Sequence, residues 1–289
     1  MPAQKAHMKI ITSIDDMKKW SSLTHFSDKV IGFVPTMGCL HEGHLSLIKT
    51  SIAECDATVV SIFVNPIQFS PNEDFNSYPR NIELDKKILQ TIGIDVLFNP
   101  KQEDLYPEKF QTFVTVEDKT NYLCGARRPG FFRGVTTVVL KLFNIANPNI
   151  AYFGEKDWQQ LEVVRTMVRD LNMDISIVGK PIVRDEDGLA MSSRNGYLSE
   201  EDRSSARSLS QALESAQALV IQGECSAENI RTEIRKIIEQ KQGTKVDYIS
   251  VCDPESFAEQ TEIHSKVLVA LAVRVGNTRL IDNRIIGKA

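Results

Sequence analysis

The sequence predicts an α/β protein with a parallel sheet, followed by a smaller α+β domain. Uninterrupted apolar runs at 30–34, 57–64 and 150–153 are typical of strands buried on both faces, as parallel strands are. The first and third of these runs lead through glycine-containing loops into helical patterns. In the last third of the chain, helix patterns precede strand patterns, which favours an α+β module. We therefore predict two domains, 1–184 and 185–289.

The elements follow from the spacing of apolar residues. Ile10, Ile14 and Met17 predict an opening helix over residues 10–26, and Pro35 should end the first strand because proline cannot donate to a ladder. The other predicted helices cover 43–52, 80–92, 135–145, 161–171, 200–222 and 226–241. The predicted strands cover 30–34, 57–64, 94–98, 113–116, 150–153, 175–178, 246–251, 267–275 and 280–283.

Composition limits the classes of function. The formal net charge of −4 over 289 residues does not favour nucleic-acid binding. No apolar run approaches the roughly 20 residues of a membrane helix, and residues 1–9 lack the apolar core of a secretory signal. The five cysteines are scattered and form no Cys-x-x-Cys pair, which suits reduced thiols. We expect a cytoplasmic protein that binds neither nucleic acid nor membrane.

Residues 34–44 carry the strongest chemical pattern in the chain. Gly38 and Gly43 let the backbone approach a ligand, and His41 and His44 stand where a helix begins. The N–H groups of a helix N-terminus attract anions, and neutral imidazoles there can donate to phosphate oxygens. Two alternatives stay open on these residues alone: a pair of polar loop residues, or a zinc site that includes Cys39.

Polar residues also follow the second apolar run. Asn65 and Gln68 come just after it, where open α/β sheets place their ligands, although an Asn-Pro turn with a solvated glutamine is an alternative. Asp85 lies in the predicted helix 80–92. It is interpreted either as a contact for Mg²⁺ near phosphates or as a solvated helix carboxylate.

Three further segments offer positive charge or hydroxyl groups. The loop 127–134 is basic and bounded by glycine, but no single role can be assigned to Arg127, Arg128 or Arg133, and a solvated loop is equally compatible. Lys156 follows a strand and could neutralise phosphate charge or be a surface lysine; the adjacent Asp157 could cap a helix. The 192–194 segment, Ser-Ser-Arg, suits a phosphate cradle or a polar turn.

Taken together, these segments resemble a known family. Residues 34–44 resemble the HIGH-type signature of nucleotidyltransferases, and their flanks resemble pantothenate synthetases (pantoate–β-alanine ligases). Three further motifs of that family follow in its order, at 63–69, 154–160 and 192–195. The similarity extends from about residue 10 to residue 282. Cys39 and Trp158 depart from the residues usual at their positions, and neither is asked to do chemistry.

The resemblance implies a Rossmann-like nucleotide-binding domain, a smaller C-terminal lid domain and a homodimer. It also implies that pantoate and β-alanine are joined with ATP and Mg²⁺ through a pantoyl adenylate. The catalytic residues would be His44, His41 and Lys156, the pantoate-binding residues Gln68, Gln160 and Asn65, and the metal contact Asp85. The residues expected to bind ATP are Pro35, Thr36, Met37, Gly38, His41, Gly43, His44, Gly154, Glu155, Lys156, Asp157, Val183, Met191, Ser192, Ser193 and Arg194.

Two other functions are weighed against this one. A nucleotidyltransferase that keeps AMP on its product should have nucleotide-specific contacts on the acid side, where this chain offers Gln68 and Gln160 with apolar neighbours. A non-catalytic nucleotide-binding regulator should tolerate the loss of Lys156. The presence of four intact motifs disfavours the regulator.

Overall fold

A six-stranded, fully parallel sheet forms the centre of the first part of the chain. The computed structural model describes residues 8–71 and 73–287. The strands lie in the order β1-β4-β3-β2-β5-β6, and every neighbouring pair is parallel. The strands are β1 (Lys9–Ile11), β2 (Ile31–Thr36), β3 (Ala57–Ile62), β4 (Val96–Phe98), β5 (Ile150–Gly154) and β6 (Ser176–Lys180).

Helices connect these strands, as parallel pairing requires. The helix after β2 and the helix before β4 contribute Ile48 and Leu89 to a core that also includes the sheet residues Val34, Val60 and Leu97. The helices are α1 (Ile14–His25), α2 (Glu42–Glu54), α3 (Ile82–Ile92), α4 (Gln102–Leu105), α5 (Leu123–Arg127), α6 (Phe131–Ala146) and α7 (Trp158–Asp170).

The C-terminal part of the chain is an antiparallel sheet with helices. The sheet order is β7-β8-β9, with β7 (Thr244–Cys252), β8 (Val267–Val275) and β9 (Thr278–Ile286). Its helices are α8 (Glu200–Ala206), α9 (Ser208–Ile221) and α10 (Ala227–Glu239). Ile230, Ile234 and Ile238 recur every four residues on α10 and are fully buried in the core shared with the sheet. The predicted fold class, a parallel α/β sheet and a smaller α+β module, is confirmed.

The chain divides into two compact units that are not continuous in sequence. The first contains the described residues up to Glu117, with Arg128–Glu155 and Gln160–Pro181. The second contains Asp118–Arg127, Lys156–Gln159 and the described residues from Ile182 onward. The predicted domain division at residue 184 stays a prediction, and the two short segments of the second unit had no counterpart in it.

The first helix begins later than predicted. Residues 9–11 form β1, which pairs in parallel with β4, and α1 starts at Ile14 after the N-cap Ser13, whose side chain accepts from the Asp16 N–H. Ile10 fits a helical spacing, but it lies on an edge strand and is exposed. A strand of three residues is too short to show an alternation, so its apolar residues fit a helical period equally well.

Pro35 does not end its strand. β2 continues to Thr36, and Pro35 stands opposite Ser61 of β3. The described pairing of β2 with β5 ends at Phe33, so at Pro35 the strand is paired on one side only. Proline is tolerated in such an edge-like position because no ladder bond needs its missing N–H.

The strand predicted at 113–116 does not form. The backbone groups of Val114 are satisfied by side chains of α6 instead of by a neighbouring strand. The Val114 N–H donates to Thr137 Oγ1 at 3.0 Å, and the Val114 carbonyl accepts from Thr136 Oγ1 at 2.7 Å. A hydroxyl pair on a helix therefore replaces the ladder that the β-branched residues suggested.

The described helices fall short of a membrane span. Over residues 8–71 and 73–287, none of them has the length and apolar character that crossing a bilayer requires.

Gly134 gives a test of the packing between α6 and the turn after β3. A Cβ added at Gly134 would lie 2.5 Å from the Ile67 carbonyl oxygen and 2.8 Å from the Gln68 Cα. Because both neighbours are backbone atoms, we expect Gly134→Ala to lower the free energy of unfolding by about 1–3 kcal/mol. Urea unfolding followed by circular dichroism measures this loss.

Gly196→Ala is the matched control, because a Cβ there would have no heavy atom within 4 Å. We expect its unfolding free energy to stay within about 1 kcal/mol of the parent protein. Equal stabilities for the two variants would show that the close approach at Gly134 is not a constraint.

Candidate active site

Three segments with predicted ligand-binding residues follow three adjacent strands. Thr36 ends β2, Asn65 comes soon after β3, and Gly154 ends β5. β2 lies between β3 and β5, so the strand order reverses at β2. Ligands of open α/β sheets bind in the crevice outside the carboxyl ends of the strands at such a reversal. The signature loop, residues 37–44, leaves the sheet at this point.

His41 and His44 close the N-terminus of α2. His41 is the N-cap, and its Nδ1 accepts from the Gly43 N–H at 3.2 Å. The Nδ1 of His44 in turn accepts from the His41 N–H at 3.4 Å. An accepting Nδ1 requires the neutral ring with its proton on Nε2. Both histidines are therefore N–H donors through Nε2, and their ring centroids are 4.1 Å apart.

The signature loop has a tight turn that needs unusual backbone angles. Gly38 has φ +80° and Cys39 has φ +52°. A Cβ at Gly38 would lie 3.0 Å from both Asp85 Oδ2 and the Ile62 side chain, so only glycine fits without displacement. Thr36 Oγ1 donates to the Ser61 carbonyl at 2.9 Å and accepts the Gly38 N–H at 3.1 Å, which fixes the start of the turn.

Asp85 holds the other side of this turn. It is 2% exposed on α3, and its Oδ2 and Oδ1 accept the N–H groups of Cys39 and Leu40, each at 2.9 Å. The alternative of a solvated helix carboxylate is therefore wrong. Asp85 as a magnesium contact stays a prediction, since each of its oxygens accepts one backbone hydrogen and keeps a second lone pair. Among the described residues, no cluster of three or more His, Cys, Asp or Glu side chains could hold a metal ion.

Asn65 and Gln68 form one hydrogen-bonded group. The Asn65 Nδ2 donates to Gln68 Oε1 at 3.0 Å and to the Gly134 carbonyl at 3.1 Å, while Tyr106 donates to Asn65 Oδ1 at 2.8 Å. Burial raises the pKa of Tyr106 well above its ordinary value, so the hydroxyl keeps the proton that it donates. Asn65 is 1% exposed, whereas Gln68 is half-buried. The buried Asn65 side chain thus orients the side chain of Gln68.

Gln68 also contacts the signature loop. Its Nε2 lies 3.0 Å from the Met37 Sδ. The residue predicted to bind the acid therefore touches a residue predicted to bind ATP, within one compact unit. The sequence motifs identified the two residues but not this contact.

Two arginines of the basic loop at 127–134 make structural contacts. Arg128 forms a two-pronged ion pair with Glu73, at 2.6 and 2.7 Å, and donates to the Gln68 carbonyl at 3.3 Å. Its guanidinium lies 3.6 Å from the Phe131 ring centroid. Arg133 stacks on Phe113 at 3.7 Å. Arg128 thus braces the backbone at Gln68, whereas Arg133 packs on an aromatic ring.

The two neighbouring glutamines of the third motif differ in environment. Gln159 is 6% exposed and donates to the carbonyls of Lys119 and Tyr122, at 2.9 and 2.8 Å, within the second unit. Gln160 is half-buried and belongs to the first unit, together with Gln68 and the signature loop. Gln159 therefore anchors the segment that contains Lys119 and Tyr122. Gln160 is the one of the pair that is compatible with ligand binding.

Lys156 is held in the second unit by its backbone. It lies half-buried in the 3₁₀ turn Glu155–Asp157, and its carbonyl accepts from Asn283 Nδ2 at 2.9 Å. Two residues later, the Trp158 indole donates to the Pro254 carbonyl at 2.9 Å. The exposed Asp157 follows Lys156 in the same turn.

Residues 183–191 form a hairpin that leads into the Ser-Ser-Arg segment. Arg184 pairs with Ala190, and the Met191 N–H donates to the Val183 carbonyl at 3.0 Å. Ser192 then caps a 3₁₀ turn by accepting the Arg194 N–H at 3.3 Å. The hairpin places Val183 and Met191 opposite each other, immediately before the predicted phosphate cradle.

Acidic side chains of the hairpin turn are tied to α8. Arg203 donates to Asp185 and to Asp187, both at 2.9 Å. Burial acts to raise the pKa of Asp187, but the Leu189 N–H and the Arg203 guanidinium outweigh it, and the pKa lies below its ordinary value. The turn of the hairpin is therefore held to α8 by ion pairs.

Each unit thus gathers part of the predicted site. The first unit contains the predicted residues Pro35, Thr36, Met37, Gly38, His41, Gly43, His44, Asn65, Gln68, Asp85, Gly154, Glu155 and Gln160. The second contains Lys156, Asp157, Val183, Met191, Ser192, Ser193 and Arg194. The first set supplies neutral donors and amides. The second supplies two cations and two hydroxyls, a combination suited to phosphate groups.

Known proteins resemble this chain over nearly its full length. A family model described as pantoate-beta-alanine ligase matches residues 9–285. A pantothenate synthetase of Thermotoga petrophila is 53% identical over 97% of this chain and 100% of the relative. One from Geobacter sulfurreducens is 51% identical over 97% of this chain and 99% of the relative.

Solved structures show the same similarity. The crystal structure of pantothenate synthetase from Thermus thermophilus matches with a TM-score of 0.92 and 42% identity, covering 97% of this chain and 100% of that one. A pantoate-beta-alanine ligase from Francisella tularensis, complexed with beta-gamma ATP and beta-alanine, matches with a TM-score of 0.77 and 36% identity, covering 96% and 97%.

The contacts of Asp85 predict its effect on stability. In Asp85→Asn, the amide nitrogen would face a backbone N–H that now donates to a carboxylate oxygen. We expect the free energy of unfolding to fall by about 2–3 kcal/mol, the range for a lost charge-assisted bond. We also expect faster hydrogen exchange at the amides of Cys39 and Leu40, measured by mass spectrometry.

Glu83→Gln on the same helix is the control, because the Glu83 side chain is 73% exposed and pairs only at the surface with Lys86. We expect it to leave stability within about 1 kcal/mol of the parent protein. If the two substitutions were equivalent, Asp85 would not be what holds the signature loop.

Proposed function

Because the chain belongs to the pantoate–β-alanine ligase family, it is an enzyme that joins pantoate to β-alanine, and we propose that the two residue sets described above perform this reaction through a pantoyl adenylate. The pantoate carboxylate attacks the α-phosphorus of ATP, and pyrophosphate leaves. The amine of β-alanine then attacks the acyl carbon, the C–O bond to AMP breaks, and the amine loses a proton.

The observation that carries this proposal is the contact between Gln68 and Met37. It supports placing the acid beside the nucleotide loop, so that a carboxylate held by Gln68 is close to an ATP held by residues 35–44. Such positioning can supply a large part of the rate enhancement of a bimolecular step. Gln160 is proposed to complete pantoate binding, and Asn65 acts by orienting Gln68.

On the phosphate side, we assign neutral donors in the first unit. Nε2–H groups of His41 and His44, at the positive end of α2, can donate to phosphate oxygens as charge develops there. His44 is assigned as the proton donor in this scheme. Pro35, Thr36, Gly38, Gly43, Gly154 and Glu155 would shape the ATP-binding surface of the same unit.

The second unit would supply the charge. Lys156 is assigned to the α-phosphate, where an ammonium stabilises negative charge as the carboxylate attacks. Ser192, Ser193 and Arg194 are assigned to the leaving pyrophosphate, and the paired Val183 and Met191, with Asp157, to the rest of the nucleotide. A lid role for the smaller domain 185–289 would protect the water-sensitive adenylate.

Three further features complete the proposal. Magnesium would neutralise charge on the ATP phosphates, and Asp85 would meet it through water, since each Asp85 oxygen already accepts a backbone hydrogen. The five cysteines carry thiols, which supports a cytoplasmic location. A homodimer is proposed from family resemblance alone, and light scattering on a sizing column measures it.

A product analysis tests the function directly. The purified protein is incubated with ATP, magnesium, pantoate and β-alanine, and the products are identified by mass spectrometry. We expect equal amounts of pantothenate, AMP and pyrophosphate. ADP as the nucleotide product would exclude the adenylate, AMP retained on the acid would indicate a nucleotidyltransferase, and no turnover would favour a regulator.

Lys156 separates the two half-reactions. Its proposed task lies in adenylation, so Lys156→Ala should lose most of the pyrophosphate release seen with ATP, magnesium and pantoate, about 100- to 1,000-fold in rate. Chemically prepared pantoyl adenylate should still react with β-alanine on this variant. Lys180→Ala is the control, because Lys180 pairs with Glu54 in the first unit. Loss of aminolysis with intact adenylation would reverse the assignment.

A further inference from the structure

We propose that Asp282 and Asn283, consecutive residues of β9, are positioning residues for adenylation. Through separate contacts they hold the backbone of Lys156 and the hairpin that leads into residues 192–194. This inference rests on the proposed function, since that function assigns Lys156 and residues 192–194 to the phosphates of ATP. Neither Asp282 nor Asn283 was singled out by the sequence motifs.

Asn283 fixes Lys156. Its Nδ2 donates to the Lys156 carbonyl at 2.9 Å, across 127 residues of sequence. Its own N–H donates to Asp282 Oδ1 at 2.8 Å. Asn283 is 6% exposed, so the contact with Lys156 is shielded from water and cannot be replaced by solvent without rearrangement. The turn that presents the Lys156 side chain is therefore anchored at the lysine itself.

Asp282 fixes the hairpin. Both of its oxygens accept from Arg184, at 2.7 and 2.9 Å, in the forked geometry that restricts orientation as well as distance. Arg184 Nη1 also donates to the Gly188 carbonyl at 3.1 Å, which ties the turn of the hairpin to the same ion pair. The Asp282 side chain is 1% exposed.

The strand that carries both residues is a rigid support. β9 pairs with β8 over nine consecutive residue pairs, in which Asp282 stands opposite Leu271 and Asn283 opposite Ala270. A site held by strand residues is placed more accurately than one held by loops. The two segments assigned to the phosphates are thereby held by two adjacent residues of a single strand.

The chemistry makes such positioning consequential. Lys156 acts in the proposal as a point charge on the α-phosphate, and residues 192–194 act on the leaving group. Their separation must match the distance between these phosphates. A displacement of about 1 Å can reduce the rate of a positioned reaction by about 100-fold. An Arg–Asp pair is also costly to desolvate, and apolar residues of similar volume often stabilise a fold as well. Packing alone therefore does not explain the pair.

The first test is a double-mutant cycle on adenylation. Asn283→Ala should lower pyrophosphate release from ATP and pantoate by about 10- to 100-fold, mainly in kcat. If Asn283 acts through Lys156, then adding Asn283→Ala to Lys156→Ala should cause no further loss. Effects that multiply in the double variant would show that Asn283 acts independently of Lys156 and would overturn the proposal.

Arg284→Ala is the matched control on the same strand. Arg284 contacts Gln217 and Glu214 of α9, and neither has a place in the proposed chemistry. We expect this variant to keep pyrophosphate release within about three-fold of the parent protein, because surface charge contacts contribute little. An equal loss in Arg284→Ala and Asn283→Ala would attribute both effects to general loosening of β9 and would contradict the proposal.

Hydrogen exchange gives a readout that does not depend on turnover. Asn283→Ala should speed exchange in peptides covering residues 155–159, with no change in peptides covering 41–48. Unchanged exchange at 155–159 would reject the positioning role even if Lys156→Ala is inactive. Conversely, normal pyrophosphate release by Lys156→Ala would reject the proposed role of the lysine, whatever the exchange result.

Asp282→Asn tests whether Asp282 holds the hairpin that leads into residues 192–194. The amide keeps the shape of the side chain but loses the charge that pairs with Arg184. We expect a KM for ATP raised by about ten-fold or more and faster exchange in peptides covering 183–195. If this variant does not fold, the Asn283 cycle still decides the proposal; if it folds with an unchanged KM and unchanged exchange, Asp282 has no positioning role.

Discussion

The first unit's part of the site is organised around backbone N–H groups that have no acceptor in their own helix or strand. The turn after β2 leaves the N–H groups of Cys39 and Leu40 without a ladder, and the Asp85 carboxylate accepts both. The next such groups, at His41 and Gly43, are accepted by the two imidazole Nδ1 atoms. Satisfying the backbone therefore determines which ring nitrogen keeps its proton. A structural requirement and a chemical one are met by the same bonds.

At two other points of the predicted site, a residue expected to meet a ligand is held by a buried polar side chain. Asn65 orients Gln68, and Asn283 holds the Lys156 backbone. These supports are 1% and 6% exposed, whereas the residues that they hold are half-buried. A ligand-facing group must be accessible, so its geometry has to be set from the protected side.

The sequence was sufficient for the fold class and for the segments of the site, because apolar runs, helical spacing and motif order are local signals. It was misleading where a nearby element changed the local rule. Pro35 stays in a strand because one side of β2 is unpaired there, and the Val114 backbone is satisfied by Thr136 and Thr137 instead of a ladder. The long-range contacts that support the site could not be predicted, since Asn283 is 127 residues from Lys156 and Asp85 is 45 from Leu40.

The second unit is assembled from three separate stretches of chain, and this has a consequence for its biosynthesis. Tyr122 and Leu123 pack against Phe257 and Leu268, in a cluster that exists only after β8 has been made. At the usual pace of translation, the ribosome needs on the order of ten to thirty seconds to travel from residue 127 to the end of β9. Before β8 is made, Tyr122 and Leu123 lack the residues that cover them in the folded protein. Residues 118–127 can therefore take their folded position only when synthesis of the second unit is nearly complete.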